Sequence, residues 1–319
     1  MRDSYAVMAA TTEAQAFLRQ QNAIIGCASV PLRIARPSVV MLAKMTIKPT
    51  DIPVARCRRA YVDGRFGQIH YRDASPATHS GRLPLLCFHM SPHSGRIYEK
   101  FAQTMGLQRR VIAPDTPGFG ASDAPAVPPS IEDYAGAMGD VIDALKLDIV
   151  DVMGYHTGSK TCVALALLRP KAVRKLVMIS APLFSAQELT DFRATYAAEP
   201  LTEDGAHLLK KWRSAVRWAG PGKTIAMIAD DFPDAIRNPS ISWWGHRAAF
   251  AYDLHSQLPR VQQPILLLNP DDDLHQQTLR AAGMLQRGTI VHLKNWGHGF
   301  LDLHTAQVAA RVGDFLDRD

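Results

Sequence analysis

The chain has 319 residues, 47% hydrophobic and 21% charged, enough for one large α/β domain or two ordinary ones. No stretch approaches the roughly 18 uncharged apolar residues of a membrane span, which argues against a membrane-spanning role. The net charge of +6 is local: residues 1–60 hold nine Lys or Arg and three Asp or Glu, and the rest hold 27 of each. The body therefore carries no net-charge footprint of nucleic-acid binding.

The basic N-terminal segment reads as a loosely ordered extension over residues 1–44. It is Ala- and Arg-rich and acid-poor, a composition shared with organelle transit peptides, and a translation start at Met45 is a further alternative. Residues 45–319 are expected to form the folded domain. Cys27, Cys57, Cys87 and Cys162 are too widely spaced for a zinc motif. Cys87 and Cys162 fall in apolar runs and read as buried thiols, which suits a reducing cytoplasm.

From residue 59 the pattern becomes regular. "RAYVDGRFGQIHYRD" (59–73) is a hairpin, with β-rich runs around Asp63-Gly64 and Gly67. Strands follow at 83–89 and 109–115, with a helix at 95–105 between them. A helix over 130–147 starts at Ser130 as N-cap, with Asp133 at the capping-box spacing. Then come a strand at 149–153, the turn Gly154-Tyr155-His156-Thr157-Gly158, a helix at 159–168 and a strand at 174–180. After an interruption, strands at 263–270 and 288–294 alternate with helices at 275–285 and 300–317. Apolar strands alternating with helices predict an α/β fold with a mostly parallel sheet, covered on both faces.

The interruption, residues 182–258, is mainly helical and carries Trp212, Trp218, Trp243 and Trp244, four of the five tryptophans. An insertion between the sixth and seventh strands would lie over the carboxyl edge of the sheet, where open α/β sheets bind ligands. The aromatics could form a small core of their own or line an apolar pocket. At least one is expected to face a ligand.

Five landmarks occur in order, each at a strand end. His89-Met90-Ser91-Pro92 matches an H-G-x-P turn, with Met90 for its glycine. Asp115 to Ser122 matches D-x-x-G-x-G-x-S. The turn 154–158 has glycines two positions either side of His156. Asp271-Asp272-Asp273 ends one late strand, and Gly297-His298-Gly299-Phe300 follows the next. Over roughly residues 58–317 the chain resembles the capped α/β-hydrolases, with histidine where the nucleophile elbow usually carries serine. The physical logic stands independently of the resemblance. Such an elbow forces positive φ on its central residue and packs a helix tightly on a strand. Histidine is among the non-glycine residues enriched at positive φ.

The resemblance implies a catalytic set of His156, Asp273 and His298, with Asp272 the nearest substitute for the acid. A carboxylate behind an imidazole fixes its tautomer and orientation. By the same resemblance, backbone N–H groups of Thr157 and of Met90 or Ser91 form the oxyanion hole. His89, Tyr155, Trp243 and Trp244 are candidate pocket residues, with a bond to loop backbone the favoured reading of His89. The 115–122 loop reads as structural.

An imidazole reaches about 2 Å farther than a serine oxygen, by bond lengths of the usual kind, so a simple swap would crowd the carbonyl site and His298. The leading expectation is an enzyme that hydrolyses a small, largely apolar carbonyl compound (ester, lactone or C–C bond). In it the His298–Asp273 dyad does the chemistry and His156 binds or protonates an oxygen. A lyase or cofactor-free oxygenase on the same fold, covalent attack by His156, a non-catalytic small-molecule binder and a structural or interaction role are the alternatives. The expected partner is a small-molecule substrate, with no cofactor, metal, nucleic acid or membrane implied and no oligomer indicated.

Overall fold

A computed structural model describes residues 53–318. The expected N-terminal extension, Met45 and Cys27 lie outside the described residues. Eight strands form one sheet: β1 (Cys57–Gly64), β2 (Gly67–Ala74), β3 (Leu85–Phe88), β4 (Val111–Pro114), β5 (Val150–Tyr155), β6 (Val173–Ile179), β7 (Ile265–Pro270) and β8 (Gly288–Leu293). Their spatial order is β1-β2-β4-β3-β5-β6-β7-β8. The β1–β2 and β2–β4 pairings are antiparallel, and the rest are parallel. The hairpin turns between Gly64 and Gly67, where Gly67 has φ +109°, a conformation that favours glycine.

Burial follows strand position. Every residue of β3, β5 and β7 is buried, whereas the edge strand β1 alternates half-buried and exposed positions. Alternate residues of the central strands feed two cores. Leu86, Phe88, Val150 and Val152 pack with Ile131, Tyr134 and Val163 from helices on one face. Leu85, Cys87, Met153 and Tyr155 pack with Phe101, Met105, Val308 and Val312 on the other. The helices that cover the first face are α2 (Ile131–Ala144) and α3 (Thr157–Leu168). Those on the second are α1 (Glu99–Met105) and α11 (Thr305–Asp317). Cys87 and Cys162 are fully buried free thiols.

The Ser130 capping box is present in full: Ser130 Oγ accepts from the Asp133 N–H, and the Ser130 N–H donates to the Asp133 carboxylate. Two expected helices come out shorter. The one at 275–285 closes as α9 (His275–Leu279), after which Ala281 and Met284 donate to carbonyls three residues back, tightening the chain into a 3-10 turn. The one at 300–317 divides into α10 (Phe300–Leu303) and α11, because His304 leaves helical geometry at φ −124°, ψ 30°. Its ring stacks on Trp296 at 4.2 Å.

Between β6 and β7 the chain builds a helical cap: α4 (Ala186–Thr195), α5 (Ala206–Arg217), α6 (Ile225–Ala235), α7 (Trp244–Ala251) and α8 (Leu254–Gln257). Among the described residues, no helix is long and apolar enough to cross a membrane. The order β4-β3-β5 reverses the direction in which the sheet grows. The crevice outside the carboxyl ends of β3 and β5 is therefore the place this topology reserves for ligands.

Candidate active site

The turn after β5 holds His156 at φ 49°, ψ −108°, outside the regions L-residues ordinarily occupy. The glycines beside it are required by contact. A Cβ on Gly154 would lie 2.1 Å from the Gly158 carbonyl oxygen, and one on Gly158 would lie 2.0 Å from that of Phe88. Ser159 locks the turn from behind, its hydroxyl 2.8 Å from the carbonyl oxygens of both Gly154 and Ile179. The His156 side chain is thereby presented above the carboxyl ends of β3 and β5.

Two histidine–aspartate pairs meet here. His156 Nε2 lies 2.9 Å from Asp272 Oδ2, and His298 Nε2 lies 2.7 Å from Asp273 Oδ1. The imidazole centroids are 5.4 Å apart, with ring planes at 79°. Asp272 is fixed from two sides, accepting from Ser180 Oγ at 2.5 Å and from the Leu274 N–H at 2.9 Å. His298 follows β8 on a loop tied to the cap, since its carbonyl accepts from the Gly220 N–H at 2.9 Å. The Tyr155 hydroxyl stands 3.3 Å from His298 Nδ1.

Electrostatics separate the groups. Burial opposes ionisation of Asp273, but the hydrogen bond and charge of His298, with His156, hold its carboxyl down at about 2. Asp272 is likewise lowered against the effect of burial, chiefly by the charge of His156. Burial disfavours the charged form of His156, yet Asp272 outweighs it and the imidazole is raised above its usual value. Both carboxyls are thus anionic, and His156 readily carries a proton. Neutral histidines flank them. Burial lowers His93 to about 4 despite the nearby Asp234, and lowers His246, stacked on Tyr196 at 4.3 Å, to about 3.

The pairs face a cavity of about 350 Å³ beneath the cap, lined by His156, His298 and Asp273 and by apolar groups including Ile97, Ile228, Phe232 and Trp218. Met90, Ser91, Tyr155 and Trp243 also line it. Thr157 opens α3, where the first N–H groups have no intrahelical partner, and no acceptor among the described residues takes the Met90 or Ser91 N–H. Ser91 itself is packed against α7: a Cβ on Gly245 would lie 1.9 Å from its hydroxyl oxygen.

Two expected pocket residues lie elsewhere. His89 is buried in the loops, its Nδ1 2.9 Å from the Met90 carbonyl oxygen and its Nε2 accepting from the Thr116 N–H at 2.8 Å. Both ring nitrogens are committed to backbone, so it does not reach the cavity. Trp244 does not line the cavity; Trp218 and Trp243 do. The 115–122 loop is structural as expected, with Asp115 accepting from the Gly95 and Ala121 N–H groups and pairing with His70. Sequence reasoning missed the direct Asp272–His156 pair, its anchor Ser180, and the cap residues Tyr196 and His246. Asp272 was marked only by its place in the 271–273 run, and the cap residues by nothing in spacing or composition.

The chemically versatile groups converge closely. One ligand atom from each of His156, Asp272, Asp273 and His298 lies within 4.8 Å of all the others, a donor set that could share protons or hold a metal ion.

Comparison with known proteins agrees with this architecture. The family described as alpha/beta hydrolase fold matches residues 84–274. A 2-hydroxy-6-oxo-2,4-heptadienoate hydrolase from Pseudomonas putida is 39% identical over 98 residues, 30% of this chain and 35% of that protein. A 2-hydroxymuconate semialdehyde hydrolase from a Pseudomonas species is 26% identical over 256 residues, 73% of this chain and 87% of that protein. The matches span about a third to a half of the first curated relatives' own lengths, 35% and 52%. Among solved structures, the enol-lactonase of Burkholderia xenovorans superposes with a TM-score of 0.69 at 18% identity, covering 81% of this chain and all of that one.

Proposed function

The chain belongs to the α/β-hydrolase fold family, and from that premise we propose that it hydrolyses a small, largely apolar carbonyl compound through two cooperating imidazoles. The observation that carries the reading is the His298–Asp273 contact of 2.7 Å, set 5.4 Å centroid to centroid from the His156 ring at the wall of an apolar cavity. Two His–Asp pairs with unequal surroundings can divide acid and base roles between them.

Asp273 accepts the Nε2–H of His298, which leaves the lone pair on Nδ1. The 3.3 Å contact of that nitrogen with Tyr155 is at the long end for a hydrogen bond. An entering water or substrate hydroxyl can replace it at little cost. His298 then takes the proton of the attacking water, and Asp273 stabilises the imidazolium that forms. His156, kept basic by Asp272, carries its spare N–H at Nδ1, for which no hydrogen-bond partner exists among the described residues. It donates to the carbonyl oxygen or the leaving group. The N–H groups of Thr157 and of Met90 or Ser91 would receive the developing oxyanion. This division of labour needs no covalent intermediate.

The bond cleaved is an ester, a lactone or an activated C–C bond. The two Pseudomonas relatives are named as hydrolases of an oxo acid and a semialdehyde, and the superposed structure as an enol-lactonase, which favours carbonyl substrates of this size. The test is a parallel screen of esters, lactones, β-diketones and hydroxynitriles against wild type, His298→Ala and His156→Ala. Wild type should turn over at least one of the first three classes. His298→Ala should abolish that turnover and His156→Ala should reduce it. Full activity in folded His298→Ala would refute the assignment.

A further inference from the structure

The cluster of His156, Asp272, Asp273 and His298 has a second capacity that proton transfer does not use. We propose that these four side chains form a binding site for one divalent transition-metal ion of the zinc class. The four donor atoms, two imidazole nitrogens and two carboxylate oxygens, lie within 4.8 Å of one another. They come from three separate places in the chain: the elbow after β5, the turn after β7 and the loop after β8.

The geometry is close to what an ion needs. Zinc takes His nitrogen and Asp oxygen at about 2.0–2.2 Å, so the edges of a tetrahedral site are roughly 3.3 Å. The two existing contacts, 2.9 and 2.7 Å, are slightly short of that edge. Accommodating an ion means spreading each pair by about half an ångström and drawing the longer separations in, movements within reach of side-chain rotation. Two carboxylates match the charge of a divalent ion, and the ion replaces the two shared protons.

Orienting partners are already built. Asp272 is held by Ser180 Oγ and the Leu274 N–H. His298, ligating through Nε2, would carry its proton on Nδ1 and donate it to the Tyr155 oxygen, now at 3.3 Å. Metal sites characteristically orient their ligands in this way. Two imidazoles select zinc, cobalt, nickel or copper over calcium and magnesium, which prefer all-oxygen sets. Three of the four ligands line the 350 Å³ cavity, leaving a direction from which water or a carbonyl oxygen could approach the ion.

The ion would take the two Nε2 atoms that the metal-free site keeps bonded to Asp272 and Asp273, and its binding is measured without reference to whether that metal-free site hydrolyses anything. The test uses the full chain, stripped with EDTA and titrated with Zn²⁺ by calorimetry, with the metal counted after equilibrium dialysis. One ion per chain is expected. Asp272→Asn and His156→Asn should each weaken binding at least about 100-fold, the upper end of what losing a mere orienting partner does. Asparagine suits position 156 because it tolerates positive φ. His275→Gln with His292→Gln, a histidine pair with centroids 6.1 Å apart whose side chains are not part of the four-donor cluster, should bind as wild type does.

Co²⁺-loaded wild type supplies a measurement that needs no variant: two exchangeable imidazole N–H resonances, paramagnetically shifted, are expected. No stoichiometric Zn²⁺ binding by folded wild type would overturn the proposal. So would affinity unchanged in both variants, or a Co²⁺ spectrum without shifted imidazole protons. A negative result in the substrate screen with positive metal binding would remove only the hydrolytic reading, and the reverse pattern would remove only the metal site.

Discussion

Lys160 offers a test of the site's surroundings that needs no substrate. It lies one turn beyond His156 on α3, is 2% exposed, donates to the Ala249 carbonyl at 2.6 Å and stands 5.1 Å from the Phe184 ring centroid. Burial lowers its ammonium from the ordinary 10.5 to about 7, with Asp253 offsetting only part of the effect. The sign follows from proton counting. Between pH 7 and 10.5 the unfolded chain binds the Lys160 proton and the folded chain has largely released it. Folded stability therefore rises with pH across that window. Below pH 7 both states are protonated and the dependence vanishes. Integrated from pH 7 to pH 9, the gain is about 2 kcal/mol, somewhat under the limiting 1.4 kcal/mol per pH unit because the folded group is half titrated at the start. Lys160→Met keeps the apolar stem and removes the titration. Urea unfolding at pH 7 and pH 9 on both proteins should give wild type the larger gain by about that amount. Other ionisable groups cancel in the difference, as does the Ala249 carbonyl that loses its donor. Parallel stability–pH profiles for the two proteins would refute the claim that a nearly neutral lysine is buried beneath the elbow helix.

Two further outcomes follow from contacts already described. Gly158→Ala should destabilise by about 1–3 kcal/mol, the usual cost of overpacking, and by more if β3 cannot move. The new Cβ meets the Phe88 carbonyl oxygen at 2.0 Å, backbone that cannot rotate aside. Helix propensity alone predicts the opposite sign, so an unchanged or raised urea midpoint would show that α3 does not pack as described. Tyr155→Phe should leave kcat/KM on the best screened substrate within about 3-fold of wild type, because the attacking water replaces that long contact before the chemistry. The melting temperature should barely move, because the hydroxyl bonds His298 Nδ1 and supports nothing else among the described residues. A loss of a thousandfold would instead place the phenol in the chemistry.

The sheet and the elbow were legible because their constraints act on neighbouring residues. Gly154 and Gly158 flank a position that needs positive φ, and the apolar runs at 85–88, 150–155 and 265–270 could only be interior strands. The His298–Asp273 contact was expected from the resemblance, which places an acid and a histidine after those two strands. What escaped depends on direction rather than identity. Three consecutive aspartates look alike in a sequence, yet Asp271 turns to the Asn295 N–H, Asp272 to His156 and Asp273 to His298. Ser180, at φ 51° just past β6, has no pattern announcing that it would hold Asp272. Tyr196 and His246 reach the cavity because the cap helices fold back over it, information that an amphipathic period does not contain. His89 stood among the pocket candidates by its motif position, but the favoured reading, a bond to loop backbone, holds: both nitrogens of the buried ring meet that backbone and are satisfied.

The extra length of histidine at the elbow explains the second carboxylate. With Nε2 about 2 Å beyond the place of a serine oxygen, a ring aimed straight ahead would collide with substrate or with His298. The structure turns it instead to Asp272, at 2.9 Å, and sets its plane nearly perpendicular to that of His298. The buried carboxylate requires a compensating partner of its own, because an isolated charge there would be costly. His156 supplies that partner, together with Ser180 and the Leu274 N–H. Elbow histidine and second aspartate therefore work as one unit: removing either leaves the other misdirected or uncompensated. A serine restored at position 156 would not reach Asp272. The Asp272 carboxylate would then lose its nearest cation, so reversing the elbow to its usual residue is predicted to destabilise this protein rather than to repair it.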